Sequence, residues 1–151
     1  MTAPKIVFLD TNVFIIGTAD PASAEARILE WVGYQSGEAE PVEVVVSQDL
    51  FEQILRVTRR LQNKDWGGEI LARIWQKLNL RYVLVDADEW AALAGDGIIP
   101  REDIGVYLAA RNGKADVFIS SNRKLVRTLA DMTGEFICLT PEAFCEQFLS
   151  Q

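Results

Sequence analysis

The stretch Ile6-Val-Phe-Leu-Asp-Thr-Asn-Val13 is the starting point for interpreting the whole chain. Its four apolar residues are followed directly by Asp10, which is typical of a strand that is buried on both faces of a parallel sheet. In open parallel sheets, ligands bind in the crevice beyond the carboxyl ends of the strands. We therefore predict that Asp10 lies at a binding crevice. The alternative is that Asp10 only caps the turn formed by Thr11 and Asn12.

Strands and helices alternate along the rest of the chain. Apolar and β-branched runs predict further strands at 42–46, 82–85, 117–120 and 136–139. Apolar residues at helical spacing predict helices at 21–35, 47–61, 64–79, 86–94, 100–111, 123–132 and 141–149, the fifth with its start at 100–103 and its body at 104–111. This order predicts a single domain over 1–151 with an α/β fold. We expect a three-layer α/β/α sandwich around a mostly parallel five-stranded sheet.

The amino-acid composition restricts the chemistry that the chain can perform. The 151 residues include 15 Lys and Arg, 22 Asp and Glu, and no histidine, which makes the formal net charge −7. The absence of histidine excludes Ser-His-Asp triads, zinc sites with histidine ligands and imidazole acid–base catalysis. The two cysteines, Cys138 and Cys145, do not have the spacing of a zinc framework. Carboxylates, lysines, hydroxyls, thiols or a cofactor are left to carry any catalysis.

The cellular location is predicted from the same features. No apolar stretch approaches the roughly 20 residues of a membrane span, and no signal peptide precedes the first strand. The cysteines are interpreted as free thiols in a reducing compartment. We expect a cytoplasmic protein without a membrane segment.

Three further acidic residues stand at the ends of predicted elements. Glu52 lies in the first turns of the helix after the second strand, Asp103 lies at the start of a later helix beside Glu102, and Asp116 precedes the fourth strand. Each alone is explained by helix N-terminus stabilisation or by a turn. Together with Asp10 they form a set of carboxylates that repel one another unless a cation neutralises them. Mg²⁺ or Mn²⁺ prefers such oxygen ligands and can promote phosphodiester hydrolysis.

In four ordered blocks, the chain resembles the PIN domain, the PilT N-terminus-like ribonuclease family with its VapC-type toxins. The blocks are 6–13, 45–52, 103–110 and 115–122. The resemblance implies a PIN-like fold and a Mg²⁺- or Mn²⁺-dependent ribonuclease. The catalytic and metal-binding residues that it implies are Asp10, Glu52, Asp103 and Asp116, with hydrogen-bond support from Asn12 and Ser120.

Asn122 departs from the family pattern, because many members carry aspartate at this position. Asparagine offers a neutral carbonyl oxygen instead of a charge. Either Asp116 supplies the fourth acidic group, or Asn122 holds a metal-bound water. The change leaves open whether the site holds one or two metal ions.

Two clusters of basic residues adjoin the predicted site. The helix that carries Glu52 continues with Arg56, Arg59 and Arg60, and Asn122 is followed by Arg123, Lys124 and Arg127. We predict that RNA is bound by Arg56, Arg59, Arg123 and Lys124, the alternative being ordinary solvated helix cations. The sequence pI of about 4.6 argues against tight, sequence-blind binding of long nucleic acid.

Partners and competing functions follow from the same resemblance. It implies a homodimer and, for a toxin, a small antitoxin protein, with the helical hairpin at 47–79 as the docking surface. The alternative function is a PIN-like module that binds RNA or protein without catalysis. A haloacid dehalogenase phosphatase is disfavoured because Asn12 stands where it needs a second acid. A dinucleotide-binding fold needs a glycine-rich first turn, which is missing here.

Overall fold

Five parallel strands form the centre of the protein in the computed structural model, which describes residues 3–36 and 42–150. The strands are β1 (Ile6–Leu9), β2 (Glu43–Val46), β3 (Leu80–Tyr82), β4 (Val117–Ile119) and β5 (Ile137–Leu139), in the sheet order β3-β2-β1-β4-β5. Val7 on β1 pairs with Val44 on β2 and with Val117 on β4. The central strands are buried on both faces, which explains their unbroken apolar sequences.

Helices cover both faces of this sheet. They are α1 (Thr11–Ala19), α2 (Ala24–Trp31), α3 (Gln48–Leu61), α4 (Lys64–Lys77), α5 (Ala87–Asp96), α6 (Arg101–Asn112), α7 (Arg123–Met132) and α8 (Pro141–Phe144), which continues into a π-helical turn at Cys145–Leu149. The chain runs outward from β1 to β3 and then returns to place β4 beside β1. Right-handed crossovers therefore place α1–α4 and α5–α7 on opposite faces. The predicted three-layer α/β/α sandwich is confirmed, and the sheet is entirely parallel.

The segment after Asp10 differs from the prediction. Instead of one helix at 21–35, the chain forms α1 directly after β1 and a shorter α2. Helix α1 has no clear apolar stripe, because Val13, Phe14 and Ile15 are all buried in succession. A helix enclosed on several sides lacks the 3.6-residue alternation on which the prediction relied.

The third strand begins and ends earlier than predicted. It covers Leu80–Tyr82 instead of 82–85, because Val44 pairs with Leu80 and Val46 pairs with Tyr82. β2 ends at Val46, so the apolar residues after Tyr82 have little partner strand left to pair with. Strand pairing, which depends on register with β2, sets this boundary.

The core holds β1, β4 and α6 in fixed relative positions. Phe8 and Phe118 pair across β1 and β4 with their rings stacked at 5.2 Å. Helix α6 is buried at seven consecutive positions, Ile104 to Ala110. At its C-terminus, a Cβ on Gly113 would lie 2.8 Å from Val45 Cγ1, so glycine permits the close approach of α6 to β2. Asp103, at the start of α6, is consequently held on a rigid element.

Candidate functional site

A pocket opens at the carboxyl end of the sheet, where the connections from the neighbouring strands β1 and β4 lead to opposite faces. Such switch points are the usual ligand-binding crevices of α/β sheets. The pocket has a volume of about 670 Å³. Its lining includes six of the predicted site residues and two further acids; the site residues are Asp10, Asn12, Glu52, Arg56, Asp103 and Asn122, and the acids are Asp49 and Glu102.

Asp10 is the most deeply buried carboxylate of the pocket, with 4% of its surface exposed. One oxygen, Oδ1, accepts a hydrogen bond from the Thr11 backbone N–H at 2.9 Å, which caps α1. The other, Oδ2, accepts from Ser120 Oγ at 2.7 Å. Burial raises the pKa of Asp10, and these two hydrogen bonds oppose that shift only in part. Asp10 therefore combines the cap and the crevice position that the sequence offered as alternatives.

The turn between β4 and α7 is tied to Asp10 through Asn12 and Ser120. Asn12 Oδ1 accepts from the Ser121 N–H at 2.9 Å, and Asn12 Nδ2 donates to Ser120 Oγ at 3.3 Å. The Asn122 N–H also donates to Ser120 Oγ, at 3.0 Å. Ser120 is thereby oriented to donate its own proton to Asp10. These are the supporting hydrogen bonds expected for Asn12 and Ser120.

Asp103 lies in the first turn of α6 and is partly buried. Its pKa is raised to about 6, first by burial and then by the negative charges of Asp10 and Glu102. The charge of Asp10 therefore reaches Asp103 across the pocket. In the absence of a cation, ionising both carboxylates is unfavourable.

Asp49 is a pocket carboxylate that the sequence analysis missed. Its Oδ2 lies only 1.8 Å from where a Cβ on Gly105 would be, so this carboxylate packs against the backbone of α6 because residue 105 has no side chain. Burial and the neighbouring Glu52 raise the pKa of Asp49. From sequence, Asp49 is indistinguishable from an acid in the first turn of any helix. The one available signal was a glycine two residues after Asp103.

Glu52 lies one turn further along α3, at the exposed rim of the pocket. Its Oε1 accepts a hydrogen bond from Gln48 Nε2 at 2.9 Å. Glu52 therefore faces the pocket from α3 while Asp103 faces it from α6.

Asp116 lies at the opposite end of the sheet from Asp10. Its Oδ2 accepts from the backbone N–H groups of Lys5 and Ile6, at 2.9 and 3.0 Å. Because β1 and β4 are parallel, a residue before β4 and a residue after β1 are separated by the length of a strand. The prediction that Asp116 joins Asp10 in a catalytic and metal site is wrong.

Asp116 and Asn122 were the two candidates for the fourth group of the site, and of these Asn122 lines the pocket. Its Oδ1 accepts from the Leu125 N–H at 3.1 Å and so caps α7. This oxygen is partly committed to the helix cap, a role that an aspartate would also fill.

One of the four predicted RNA-binding cations, Arg56, lines the pocket. It lies on α3 with Arg60, a pocket arginine outside that prediction, in the same row as Glu52 at intervals of four residues. The pocket lining does not include Arg59, Arg123 or Lys124, which are exposed elsewhere on α3 and α7. A third pocket arginine, Arg101, stands at the start of α6.

The donor groups suit a hard divalent cation, although they are not gathered as a ready coordination sphere. Within 3–36 and 42–150, no three Asp, Glu or Cys side chains are grouped closely enough to hold a metal ion. Asp10 and Asp103 are nevertheless carboxylates whose repulsion a cation would relieve, and oxygen is the donor that Mg²⁺ and Mn²⁺ prefer. Asp49 and Glu52 add two carboxylates to the same pocket.

Solved structures of other proteins share the α/β/α architecture of this chain. VapBC2 from Rickettsia felis, bound to a DNA fragment from its promoter, matches with a TM-score of 0.58 and 15% identity over 89% of this chain and 98% of the other. VapBC-1 from nontypeable Haemophilus influenzae matches with a TM-score of 0.62 and 17% identity over 91% and 98%. The chain has a PIN/VapC-like fold. No protein-family model and no curated protein sequence matches it.

At these identities the likeness is one of fold. The PIN/VapC-like fold accounts for the meeting of β1, α3, α6 and the β4–α7 turn at one edge of the sheet. The activity has to be argued from the side chains at that edge. Across the described part of the chain, no helix is both long enough and apolar enough to cross a membrane.

Proposed function

We propose that this protein is a Mg²⁺- or Mn²⁺-dependent ribonuclease of the VapC toxin type. The observation that carries the proposal is the pairing of buried Asp10 with Asp103, whose pKa the charge of Asp10 helps to raise to about 6. Carboxylates with perturbed pKa values in a cleft are candidates for functional sites. The absence of histidine is compatible with this chemistry, since carboxylates are the protein groups that it needs.

Each pocket residue has a role in this proposal. Asp10 and Asp103 would hold the cation, which when bound supplies Lewis acidity and a more acidic water. The hydrogen bonds from Ser120 and Thr11 keep both oxygens of Asp10 in place. Glu52, at the rim, either completes the ligand set or orients the attacking water. Asp49, packed against α6 at Gly105 and close to Glu52, adds a further negative charge to the pocket.

The partners are part of the same proposal. The two similar solved structures are VapBC assemblies, one of them on promoter DNA, and we propose an antitoxin partner and a homodimer for this chain. The α3–α4 hairpin exposes 63% of Leu61 and 56% of Trp75, as a docking surface requires. Light scattering and co-purification with the protein encoded by a neighbouring gene test these partners. A cytoplasmic location remains a prediction.

The direct test is cleavage of labelled single-stranded RNA by the purified protein with Mn²⁺ or Mg²⁺. We expect cleavage that EDTA stops and that Asp10→Asn abolishes. The matched control is Asp116→Asn, which makes the same chemical change at the other end of the sheet and should retain cleavage.

Two results would contradict the proposal. Cleavage that Asp10→Asn leaves unchanged would mean that another site or a contaminant is responsible. No cleavage with either ion, together with no measurable Mn²⁺ binding, would favour the non-catalytic PIN-like module.

A further inference from the structure

The lining of the pocket is not limited to carboxylates. It also includes three arginines and an indole ring: Arg56, Arg60, Arg101 and Trp90. Apolar side chains of α1 and α3 line the same cavity, among them Ile16, Val57 and Leu61. One cavity therefore combines carboxylates with cationic, aromatic and apolar groups. A site that bound only a metal ion would need the carboxylates alone.

Trp90 on α5 and Arg101 on α6 form a pair at the wall of this cavity. The Arg101 guanidinium carbon lies 5.1 Å from the centre of the Trp90 ring, within the range of a cation–π contact. Trp90 is partly exposed, with Arg101 over one face of its ring and part of the ring packed against the core, and Arg101 is exposed. A ligand can therefore reach the guanidinium and the uncovered part of the indole. Arg101 is two residues from Asp103 on the same helix, which sets the cation at a fixed offset from that carboxylate.

Helix α5, which carries Trp90, is anchored to α6 independently of the pocket. Glu89 forms an ion pair with Arg111, and its other oxygen accepts from Asn112 Nδ2 at 3.1 Å. The indole is thus presented by a braced helix, and Arg101 is not needed to join α5 to α6. An aromatic ring held beside a cation suits a ligand that alternates flat rings with negative charges.

Single-stranded nucleic acid is the ligand with this alternation. Its bases stack on aromatic side chains, and its phosphates pair with arginine. In a duplex the base faces are occupied by neighbouring bases. We propose that Trp90 and Arg101 form a nucleotide subsite, which takes one base and the adjoining phosphate of single-stranded RNA beside the bond to be cleaved. This inference rests on the proposed ribonuclease function and assigns two residues that hold a nucleotide of its substrate.

A second arginine–aromatic pair provides a matched control. Arg73 lies 5.5 Å from the Tyr34 ring in a separate hollow between the α1–α2 region and α4. Tyr34 is 1% exposed, so its ring cannot stack on a ligand. Replacing Arg73 removes the same kind of contact without touching the pocket.

The test measures binding in an Asp10→Asn background, so that the probe is not cleaved. Fluorescence anisotropy reports binding of a labelled single-stranded oligoribonucleotide of about ten nucleotides, of the same strand in a duplex, and of an abasic strand. We expect Trp90→Ala to weaken binding of the single strand about tenfold or more, and Trp90→Phe to retain most of it. Arg101→Ala should weaken binding and lower the salt dependence by about one phosphate contact. Arg73→Ala should change neither.

The base-specific comparison gives the sharpest readout. If Trp90 stacks on a base, Trp90→Ala should have little effect on the abasic strand and on the duplex, both of which should already bind weakly. If Trp90→Ala and its parent bound the single strand equally well, the proposed subsite would be wrong. Trp90 and Arg101 would then be candidates for binding another class of ligand, such as a protein segment. If Trp90→Ala fails to fold by circular dichroism, Trp90→Phe against Trp90→Leu decides the question.

Failure of the subsite can be distinguished from failure of the ribonuclease proposal. Metal-dependent cleavage that needs Asp10 but proceeds in Trp90→Ala with unchanged KM would refute the subsite alone. Trp90-dependent binding by a protein that cleaves no RNA would refute the ribonuclease activity and keep the subsite.

Discussion

Asp10 and Asp116 stand at opposite ends of neighbouring parallel strands, and they do different work. Asp116 is exposed and accepts hydrogen bonds from two backbone N–H groups at the start of β1, those of Lys5 and Ile6. Asp10 is buried, and its pKa is raised because burial outweighs its hydrogen bonds. A carboxylate that satisfies backbone donors near water stabilises the fold. A carboxylate buried within reach of another one is unfavourable until a ligand arrives, which makes it a marker of function.

The largest expected effect is on activity and concerns Asp10. Asp10→Asn keeps the size of the side chain and one of its two acceptor oxygens, so one of the hydrogen bonds from Thr11 and Ser120 is lost, and it removes the charge that would hold a cation. We expect RNA cleavage to fall by more than about 100-fold, while the melting temperature in EDTA stays the same or rises. Cleavage assays and thermal denaturation check this. If Asp10→Asn instead lost activity because it unfolded, Asp10 would have a structural role like that of Asp116, and the contrast between the two aspartates would be wrong.

Gly105 allows α6 to approach the carboxylate of Asp49 in the pocket, and replacing this glycine should have the next largest effect. In Gly105→Ala the new Cβ meets the carboxylate and Cβ of Asp49, so Asp49 must leave its position. We expect the free energy of unfolding to decrease by about 1–3 kcal/mol. Urea denaturation measures the loss, and the double variant Gly105→Ala, Asp49→Ala should recover most of it. No recovery would mean that Asp49 is not the obstacle.

Asp116→Ala should have the opposite effects to Asp10→Asn, namely lower stability with unchanged activity. Two backbone N–H groups lose their acceptor near the surface, where water can replace it in part. We expect a decrease of about 1 kcal/mol in the free energy of unfolding and unchanged cleavage per folded molecule. Urea denaturation and the cleavage assay test both halves, and a large loss of activity would return Asp116 to the site.

Asp103 provides the smallest and most specific effect, a change in the pH dependence of stability. Its pKa is about 6 in the folded chain and ordinarily 3.8, so the folded state binds this proton more tightly. Without a cation, stability should therefore fall as the pH rises from about 4 to about 6. Because Asp103 is partly exposed, screening by solvent reduces the size of this change in stability.

Asp103→Asn removes the titration of this carboxyl group. The pH-dependent part of the stability difference between the variant and the parent should be near zero below about pH 4. Above about pH 6 it should reach a plateau at which the variant is the more stable of the two. Denaturation in EDTA across this range checks it, and Glu102→Gln should give a smaller change of the same sign, because it removes only one of the charges that raise the pKa of Asp103. A difference that does not vary with pH would show that Asp103 ionises as an ordinary surface acid.

Much of the fold could be predicted because its signals are local. The apolar run of β1 and the helix 123–132 agree with the structure at both ends. The misses arise where surroundings override local pattern. Helix α1 is enclosed and lacks an apolar stripe, and β3 takes its bounds from pairing with β2.

The candidate site divides along the same line. Asp10, Glu52 and Asp103 could be selected because each follows a strand or begins a helix, and such termini gather at one edge of a parallel sheet. Asp116 could not be excluded without knowing which edge it occupies. Asp49 could not be selected without seeing α6 approach it at Gly105.

The amino-acid sequence is sufficient to determine an α/β chain, a histidine-free chemistry and a shortlist of carboxylates. These depend on composition, on hydrophobic periodicity and on residue type at element termini, all of which act over a few residues. Only the tertiary structure separates Asp10 from Asp116, brings Asp49 into the pocket and places Trp90 beside Arg101. The reason is that strand direction, burial and charge–charge distance are properties of packed elements far apart in the chain, and these properties set which carboxylates share a cavity.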